Sequence, residues 1–267
     1  MNIQEIKELY LKGESLAELG RLYDCDPTTI KRHLLKEGVQ LRTRAEQTRI
    51  SNTKRKKAVQ EDYFSTIDTV NKAWLLGFIA ADGSIGKERN TITIQLSSID
   101  SEILYKIQKE ISFEGTIKNG LSSNGFAITK LVWTSQQHKQ DLSKYGIVNN
   151  KTYLPMHLPD LKNDNLILSF ILGFFDGDGS FSVQYPYCRI RFCAHRDELL
   201  KEIGEFLKTK YQASYSLSQD KRGLYELSIS TLSAKQILKD MYSLNSLRLD
   251  RKYQKYLDYI NQETVTS

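Results

Sequence analysis

Two aspartates set the chemistry open to this chain. Asp82 and Asp178 stand 96 residues apart, each inside a stretch that nearly repeats: Ala73-Trp74-Leu75-Leu76-Gly77-Phe78-Ile79-Ala80-Ala81-Asp82-Gly83-Ser84 and Ser169-Phe170-Ile171-Leu172-Gly173-Phe174-Phe175-Asp176-Gly177-Asp178-Gly179-Ser180. Gly77 and Ala81 are four apart, as are Gly173 and Gly177, so on a helix each pair puts two small residues on one face. Two such helices can pack backbone to backbone about a pseudo-twofold axis, and Asp82 and Asp178 then emerge side by side at their C-terminal ends. A helix C-terminus disfavours a carboxylate, and a second carboxylate beside it raises the cost. Divalent cations offset that cost best. Hard oxygen ligands with few fixed protein partners suit Mg²⁺ shared with substrate phosphates. One Asp-Gly pair alone would read as a turn; two copies in register read as a site.

No rival constellation stands in the sequence. His33, His138, His157 and His195 are scattered and read as surface or packing residues. Cys25, Cys188 and Cys193 give an odd count without a Cys-x-x-Cys pair, against a disulfide framework or a structural zinc and in favour of a reducing compartment.

The elements that position the aspartates recur in both halves. After each motif comes a strand pair (Ser84–Ile85 onward with Thr91–Ser97; Ser180–Val183 with Cys188–Ala194), then a helix (Asp100–Ile111; Asp197–Tyr211). A second strand pair follows (Gly115–Lys118 with Phe126–Thr134; Ala213–Leu217 with Leu224–Ser230), and a helix closes each half (Gln137–Tyr145; Ala234–Ser243). Two of the four prolines lie in Leu154–Pro159, a natural junction between halves. A long motif present twice implies a pseudo-twofold body and not a solenoid.

The front of the chain is different. Of 267 residues with a net charge of +6, the first 60 hold thirteen Lys/Arg against eight Asp/Glu. A small basic front end on a near-neutral body points to a polyanion, with nucleic acid the default. Residues 3–37 read as three short helices, with stripes at Ile3, Ile6, Leu9, Tyr10 and at Leu16, Leu19, Leu22, Tyr23. Ser15 is the expected N-cap of the second. Asp26-Pro27 opens the third, with Ile30 and Leu34 inward and Gly38 closing it. The short turn at Asp24-Cys25-Asp26 makes this a helix-turn-helix. Thr28, Thr29, Lys31 and Arg32 on the outer face suit phosphates and base edges in the major groove. Residues 39–60 read as a basic linker in which Arg42, Arg44, Arg49 and Lys54–Lys57, above all Arg42, Arg44, Lys54 and Arg55, follow the duplex backbone.

The apolar stretches are too short to span a membrane. The segment MNIQEIKELY has no apolar signal core, so secretion is not expected. A cytoplasmic or nucleoid-associated protein is.

The pair LLGFIAADG and ILGFFDGDG resembles the two signature motifs of the LAGLIDADG homing endonucleases in their single-chain form, over roughly residues 63–262. The segment SLAELGRLYDCDPTTIKRHL resembles a resolvase-type helix-turn-helix. The resemblance implies an α+β fold: two pseudo-symmetric αββαββα repeats whose sheets form a DNA-binding saddle, plus the all-α front domain. The expected boundaries are 1–40 (helix-turn-helix), 41–62 (linker), 63–160 and 161–267 (repeats). It implies a monomer acting on double-stranded DNA, carried by a mobile genetic element. Cleavage of one phosphodiester per strand leaves 3′ overhangs. Two or three divalent ions, Mg²⁺ by expectation, sit at the motif interface, with Asp82 and Asp178 as ligands and the preceding Ala81 and Gly177 counted to the same metal site. The sixth motif position departs from the pattern in the first copy, Ala80 against Asp176. It is not the metal ligand. The family places a basic residue near each scissile phosphate: Lys151, in Val148–Thr152, and Lys252, with its neighbour Arg251 left open. A non-cleaving DNA-binding regulator and an RNA-splicing maturase are the alternatives on the same fold. An intein is not expected, since no terminal His-Asn junction is present.

Overall fold

This computed structural model describes residues 2–55, 58–184 and 187–266, with side chains described for all of these except 52–55, 184, 231 and 263–266. The chain divides into two units, residues 1–57 and 58–267.

Three polar caps start the first three helices of the first unit. Asn2 precedes α1 (Ile3–Leu11), Ser15 precedes α2 (Leu16–Leu22) and Asp26 precedes α3 (Pro27–Lys36). At Ser15 the cap is reciprocal: its hydroxyl accepts from Glu18 N at 3.2 Å, while the Glu18 carboxylate accepts from Ser15 N at 2.6 Å. Gly38 ends α3 with φ +69°, a conformation costly for other residues. Ile6, Tyr10, Leu19, Ile30, Leu34 and Val39 form the core. Leu22, expected in that core, is exposed. The inward arc of α2 instead runs through Leu16, Leu19, Gly20 and Tyr23, its centre more than a quarter-turn away from Leu22.

The stretch expected as linker contains a helix, α4 (Arg44–Arg55). Its start has a local cause. The Thr43 hydroxyl accepts from Glu46 N at 3.2 Å and the Glu46 carboxylate accepts from Thr43 N at 2.7 Å, a second capping box.

In the second unit α5 (Val70–Asp82) runs into β1 (Gly83–Ile85), β2 (Thr91–Ser97), α6 (Ser101–Glu110), β3 (Lys118–Leu121), β4 (Ala127–Thr134) and α7 (Gln136–Ser143). The order then repeats as α8 (Asp164–Asp178), β5 (Gly179–Gln184), β6 (Tyr187–Ala194), α9 (Glu198–Tyr211), β7 (Tyr215–Gln219), β8 (Tyr225–Ser230) and α10 (Thr231–Ser243). A helix without counterpart in the first half, α11 (Asp250–Thr266), follows. Both sheets are antiparallel, in the orders β1-β2-β4-β3 and β5-β6-β8-β7. β3 starts where the sequence placed its end. The turn at Ser122–Gly125, with Gly125 at φ +78°, fixes Leu121 opposite Ala127 and leaves Phe126 exposed in the bend.

Every residue from Ala73 to Ala80 is buried, as is every residue from Phe170 to Asp176. Helices this apolar must be enclosed on all sides. They enclose each other: a methyl at Gly77 would land on the Phe170 carbonyl, and one at Gly173 on that of Trp74. Reciprocal glycine contacts of this kind bring two backbones together only about a twofold relation. Along the strands burial alternates, so each sheet packs one face on the core and leaves the other open. No described helix is long and apolar enough to cross a membrane.

Candidate functional site

Each motif helix ends on its aspartate and passes straight into the outer strand of a sheet through Gly83 or Gly179. The two ends meet. A methyl at Gly177 would overlap the Ala81 methyl and lie 3.2 Å from an Asp82 carboxylate oxygen, so Asp82 reaches across to the other helix. Burial first, then the charge of Asp178, pushes the Asp82 carboxyl up to about 6; burial likewise raises Asp178, against the pull of Lys151, Lys252 and His195. No hydrogen-bond donor among the described residues relieves either carboxylate. Two charged groups left this way are poised for a cation.

The lysines come to the same place by different routes. Lys151 sits in a short 3₁₀ turn, Lys151–Tyr153, entered through Asn150 at φ +59°. Its Nζ donates to the Ala81 carbonyl at 2.8 Å, and burial lowers its pKa. The Ala81 carbonyl, expected as part of the metal site, takes an ammonium proton here, at the last turn of α5, where unpaired carbonyls attract cations. Gly177, by contrast, lies directly against Ala81 and Asp82. Lys252 opens α11, where its Nζ donates to the carbonyls of Phe175, Asp176 and Gly179 at 2.6, 2.8 and 2.6 Å. Burial brings it down to about 8. Between the two basic candidates the geometry separates cleanly. Arg251 turns away and makes a two-pronged pair with Asp100 at 3.1 and 3.0 Å.

Among the described residues no group of three or more His, Cys, Asp or Glu gathers to hold a metal. The donor set that fits one is smaller: two raised carboxylates that no described donor relieves, with Asp178 on the wall of a cavity. Such a set suits an oxygen-loving ion that keeps most of its water and borrows phosphate oxygens.

A family model for a LAGLIDADG-like domain matches residues 69–141 and 165–242, more than half of the chain. The chain belongs to the LAGLIDADG-like family. Residues 2–37 match a helix-turn-helix domain. The meganuclease I-SmaMI, solved bound to uncleaveable DNA with a TTCT central four, aligns with a TM-score of 0.50 at 16% identity, over 73% of this chain and 90% of that one. The I-LtrWI LAGLIDADG homing endonuclease bound to target DNA aligns at 0.48 and 13%, over 74% and 92%. Full-length DUF199/WhiA from Thermatoga maritima aligns at 0.48 and 18%, over 76% of this chain and 61% of that one. At 16% identity the likeness to I-SmaMI speaks for the fold alone. No curated protein matches in sequence.

Around the LAGLIDADG helices lie residues to which the sequence assigned no role. Asp176, the sixth motif residue of the second copy, is buried; its Oδ2 accepts from Trp74 Nε1 at 2.9 Å and from Leu249 N at 3.0 Å, while its Oδ1 has no partner. Burial pushes it up to about 7. A cavity of about 200 Å³ beside Asp178 is lined by Lys151, Cys193, His195 and Arg196 among others, so His195 belongs to the neighbourhood of the site and not to mere packing. The other histidines do pack or lie on the surface: His138 bridges Trp133 Nε1 and the Gln60 carbonyl, and His157 pairs with Glu202. A signal for Asp176 stood in the sequence, in the single acidic mismatch between motifs.

In the first unit Thr28, Lys31 and Arg32 are exposed along α3 with Leu35 and Lys36, and Thr29 is half-buried. Thr28 also donates its hydroxyl to Asp26 at 2.5 Å. Arg44 is exposed at the start of α4. Arg42 is not a free cation. Its guanidinium lies 3.9 Å over the Tyr10 ring and donates to the Glu14 carbonyl, and its backbone N donates to Tyr10 Oη at 2.8 Å. It straps the segment after α3 to α1 and to the turn that follows α1, because Tyr10 offers both a ring face and a phenolic oxygen. The side chains of Lys54 and Arg55, and all of Lys56 and Lys57, lie outside the described residues.

Proposed function

We propose that the chain is a site-specific, divalent-metal-dependent DNA endonuclease with a helix-turn-helix as an added DNA-reading unit. The observation that carries this reading is the pair Asp82 and Asp178: two carboxylates with raised pKa, no hydrogen-bond donor, and Lys151 and Lys252 beside them. A DNA-binding fold without chemistry has no use for an unrelieved acidic pair on its twofold axis. Asp82 and Asp178 are the residues that would hold Mg²⁺. When bound, the ion lowers the pKa of water and steadies charge on the leaving oxygen. Lys151 keeps two N–H donors for a phosphate oxygen.

The open sheet faces support a duplex as partner. Lys118 and Lys130 are register partners on one face, and like charges directly opposite one another cost stability unless a polyanion lies over them. Arg189 and Arg191 project from the same side of β6. The chain works as a monomer, both halves of the site being in one polypeptide, and in a compartment that holds DNA.

Selection from a randomised duplex library tests the reading. Cleaved duplexes with 3′ overhangs are expected in Mg²⁺, with Asp82→Asn and Asp178→Asn bound in Ca²⁺ but uncut. Tight binding of a defined site by the intact chain without any cutting would make it a regulator instead, and preference for an RNA over the same DNA duplex would make it a maturase.

A further inference from the structure

The two sheets match row for row. Gly83, Ile94 and Leu131 are register partners in the first, and Gly179, Phe192 and Leu227 in the second. One residue before each leucine stands a side chain of the open face, and there the halves part. In the first sheet it is Lys130, between Gln95 and Lys118. In the second it is Glu226, between Cys193 and Ser218. A row with two ammonium groups in one half has a carboxylate in the other.

Glu226 holds nothing in the fold together. It is half-buried, and among the described residues it makes no hydrogen bond and no ion pair, although Arg191 stands one row away on the same face. It is not a further metal ligand, since among the described residues no group of three or more such side chains gathers. Its place is near the site all the same. Cys193, directly opposite on β6, lines the cavity that Asp178 also lines, and burial and then Glu226 raise the Cys193 thiol.

A carboxylate laid against DNA is repelled by the phosphates and loses its water, so it is tolerated only where a base edge offers it a proton. In the major groove guanine shows N7 and O6, and thymine shows O4 and a methyl group; none of these donates. Adenine has its N6 amino group, but sets the N7 acceptor beside it. Cytosine offers its N4 amino group with no acceptor of its own next to it. The order of preference is cytosine, then adenine, then guanine and thymine.

We propose that Glu226 fixes a cytosine at the inner end of the second half-site by accepting a hydrogen bond from its N4 amino group. The equivalent base pair of the first half-site, met by Lys118 and Lys130, carries no such demand, so the target is not a palindrome there. This rests on the reading of a DNA duplex as partner and deepens it by naming a base; it does not require that the duplex be cut.

Selection by the full chain from a randomised duplex library in Ca²⁺ tests this, with footprinting to mark the centre of each bound site and digestion in Mg²⁺ to reveal any cut. A cytosine is expected near the centre in one half-site and not at the mirrored position of the other. Exchanging it for guanine or thymine is expected to weaken binding at least about fivefold, and for adenine less. Glu226→Gln is expected to move the preference from cytosine to adenine, whose N6 and N7 suit an amide. Glu226→Lys is expected to erase the preference and to steepen the log–log salt dependence by about 0.9. No fixed cytosine in the unmodified chain, the same demand at both mirrored positions, or a preference that Glu226→Gln leaves unchanged would overturn the proposal; cutting in Mg²⁺ would leave the endonuclease reading intact beside that failure. A fixed cytosine that moves with Glu226→Gln, in a chain that binds and never cuts, would uphold the proposal and overturn the endonuclease reading. Selection by the unmodified chain needs no variant, so poor folding of one does not blunt the test.

Discussion

The indole N–H of Trp74 donates to Asp176 at 2.9 Å, a bond that crosses from the first repeat to the second, and its pseudo-symmetric counterpart is Phe170 against Ala80. Donor and acceptor are thus present together on one side of the axis and absent together on the other. Asp176→Ala is expected to strand the Trp74 and Leu249 N–H groups and to cost about 2–5 kcal/mol. Asp176→Asn keeps an accepting oxygen and is expected to stay within about 1 kcal/mol. Trp74→Phe with Asp176→Ala, which copies the other side, should cost less than the two single changes added, by about 1 kcal/mol or more. Urea unfolding of the four proteins measures the cycle, and strict additivity would dismiss the pairing.

Asp82 and Asp178 make the metal-free protein sensitive to pH. With its carboxyl raised to about 6 from an ordinary 3.8, Asp82 binds more protons folded than unfolded between those values. Its contribution is therefore fully favourable below about pH 4 and is lost as pH rises through 6. In EDTA at neutral pH, Asp82→Asn should be more stable than the parent by about 1–2 kcal/mol. Millimolar Mg²⁺ or Ca²⁺ should raise the melting temperature of the parent and leave that of the variant nearly unchanged. Equal shifts in both would remove Asp82 from the metal site.

The motif helices and both sheets were legible because they rest on short-range patterns: the recurring glycines, the alternation along strands, and a repeat that let each half check the other. The capping box of α4 was equally local, in Thr43-Arg44-Ala45-Glu46, but a helix polar on every side carries no apolar stripe to draw attention to it. Arg42 could not be placed from sequence, since a basic residue in a basic stretch looks the same whether it meets DNA or Tyr10. The fate of the two lysines lay further out of reach. That Lys252 exhausts its donors depends on three carbonyls more than seventy residues away. The unpaired α11 escaped because the repeat itself set the expectation of symmetry.

The sheet faces should read their two half-sites by different chemistry. Lys118 and Lys130 sit opposite each other on the first, whereas the second carries Arg189 and Arg191, the latter with a buried Nε that has no partner. A guanidinium on an open sheet face suits guanine O6 and N7. Arg191→Ala should cost about 1–3 kcal/mol of affinity at a guanine-containing step and relax the preference there. Lys130→Ala should weaken all sequences alike and flatten the log–log salt dependence by about 0.9. Binding-site selection at two salt concentrations separates them.

Arg32 and Arg42, ten residues apart in the first unit, should fail in opposite ways. Arg32 is exposed on α3 beside Thr28 and Lys31, so Arg32→Ala should leave folding of the unit unchanged within about 0.5 kcal/mol. Its cost should fall on DNA binding: about 1–3 kcal/mol confined to one or two base pairs if it reads bases, or a uniform loss with a shallower salt slope if it meets phosphate. Arg42 lies over Tyr10 and holds the Glu14 carbonyl, so Arg42→Ala should destabilise the unit by about 1–3 kcal/mol. Hydrogen exchange of α1 to α3 in the full chain should rise for Arg42→Ala and stay level for Arg32→Ala. Deletion of residues 1–57 sets the scale for both. It should shorten the protected footprint and lower affinity without moving the bond that is cut, because Asp82 and Asp178 lie wholly in the second unit. An unchanged footprint and salt slope after the deletion would mean that the front unit does not touch DNA, and Arg32 would lose its role with it.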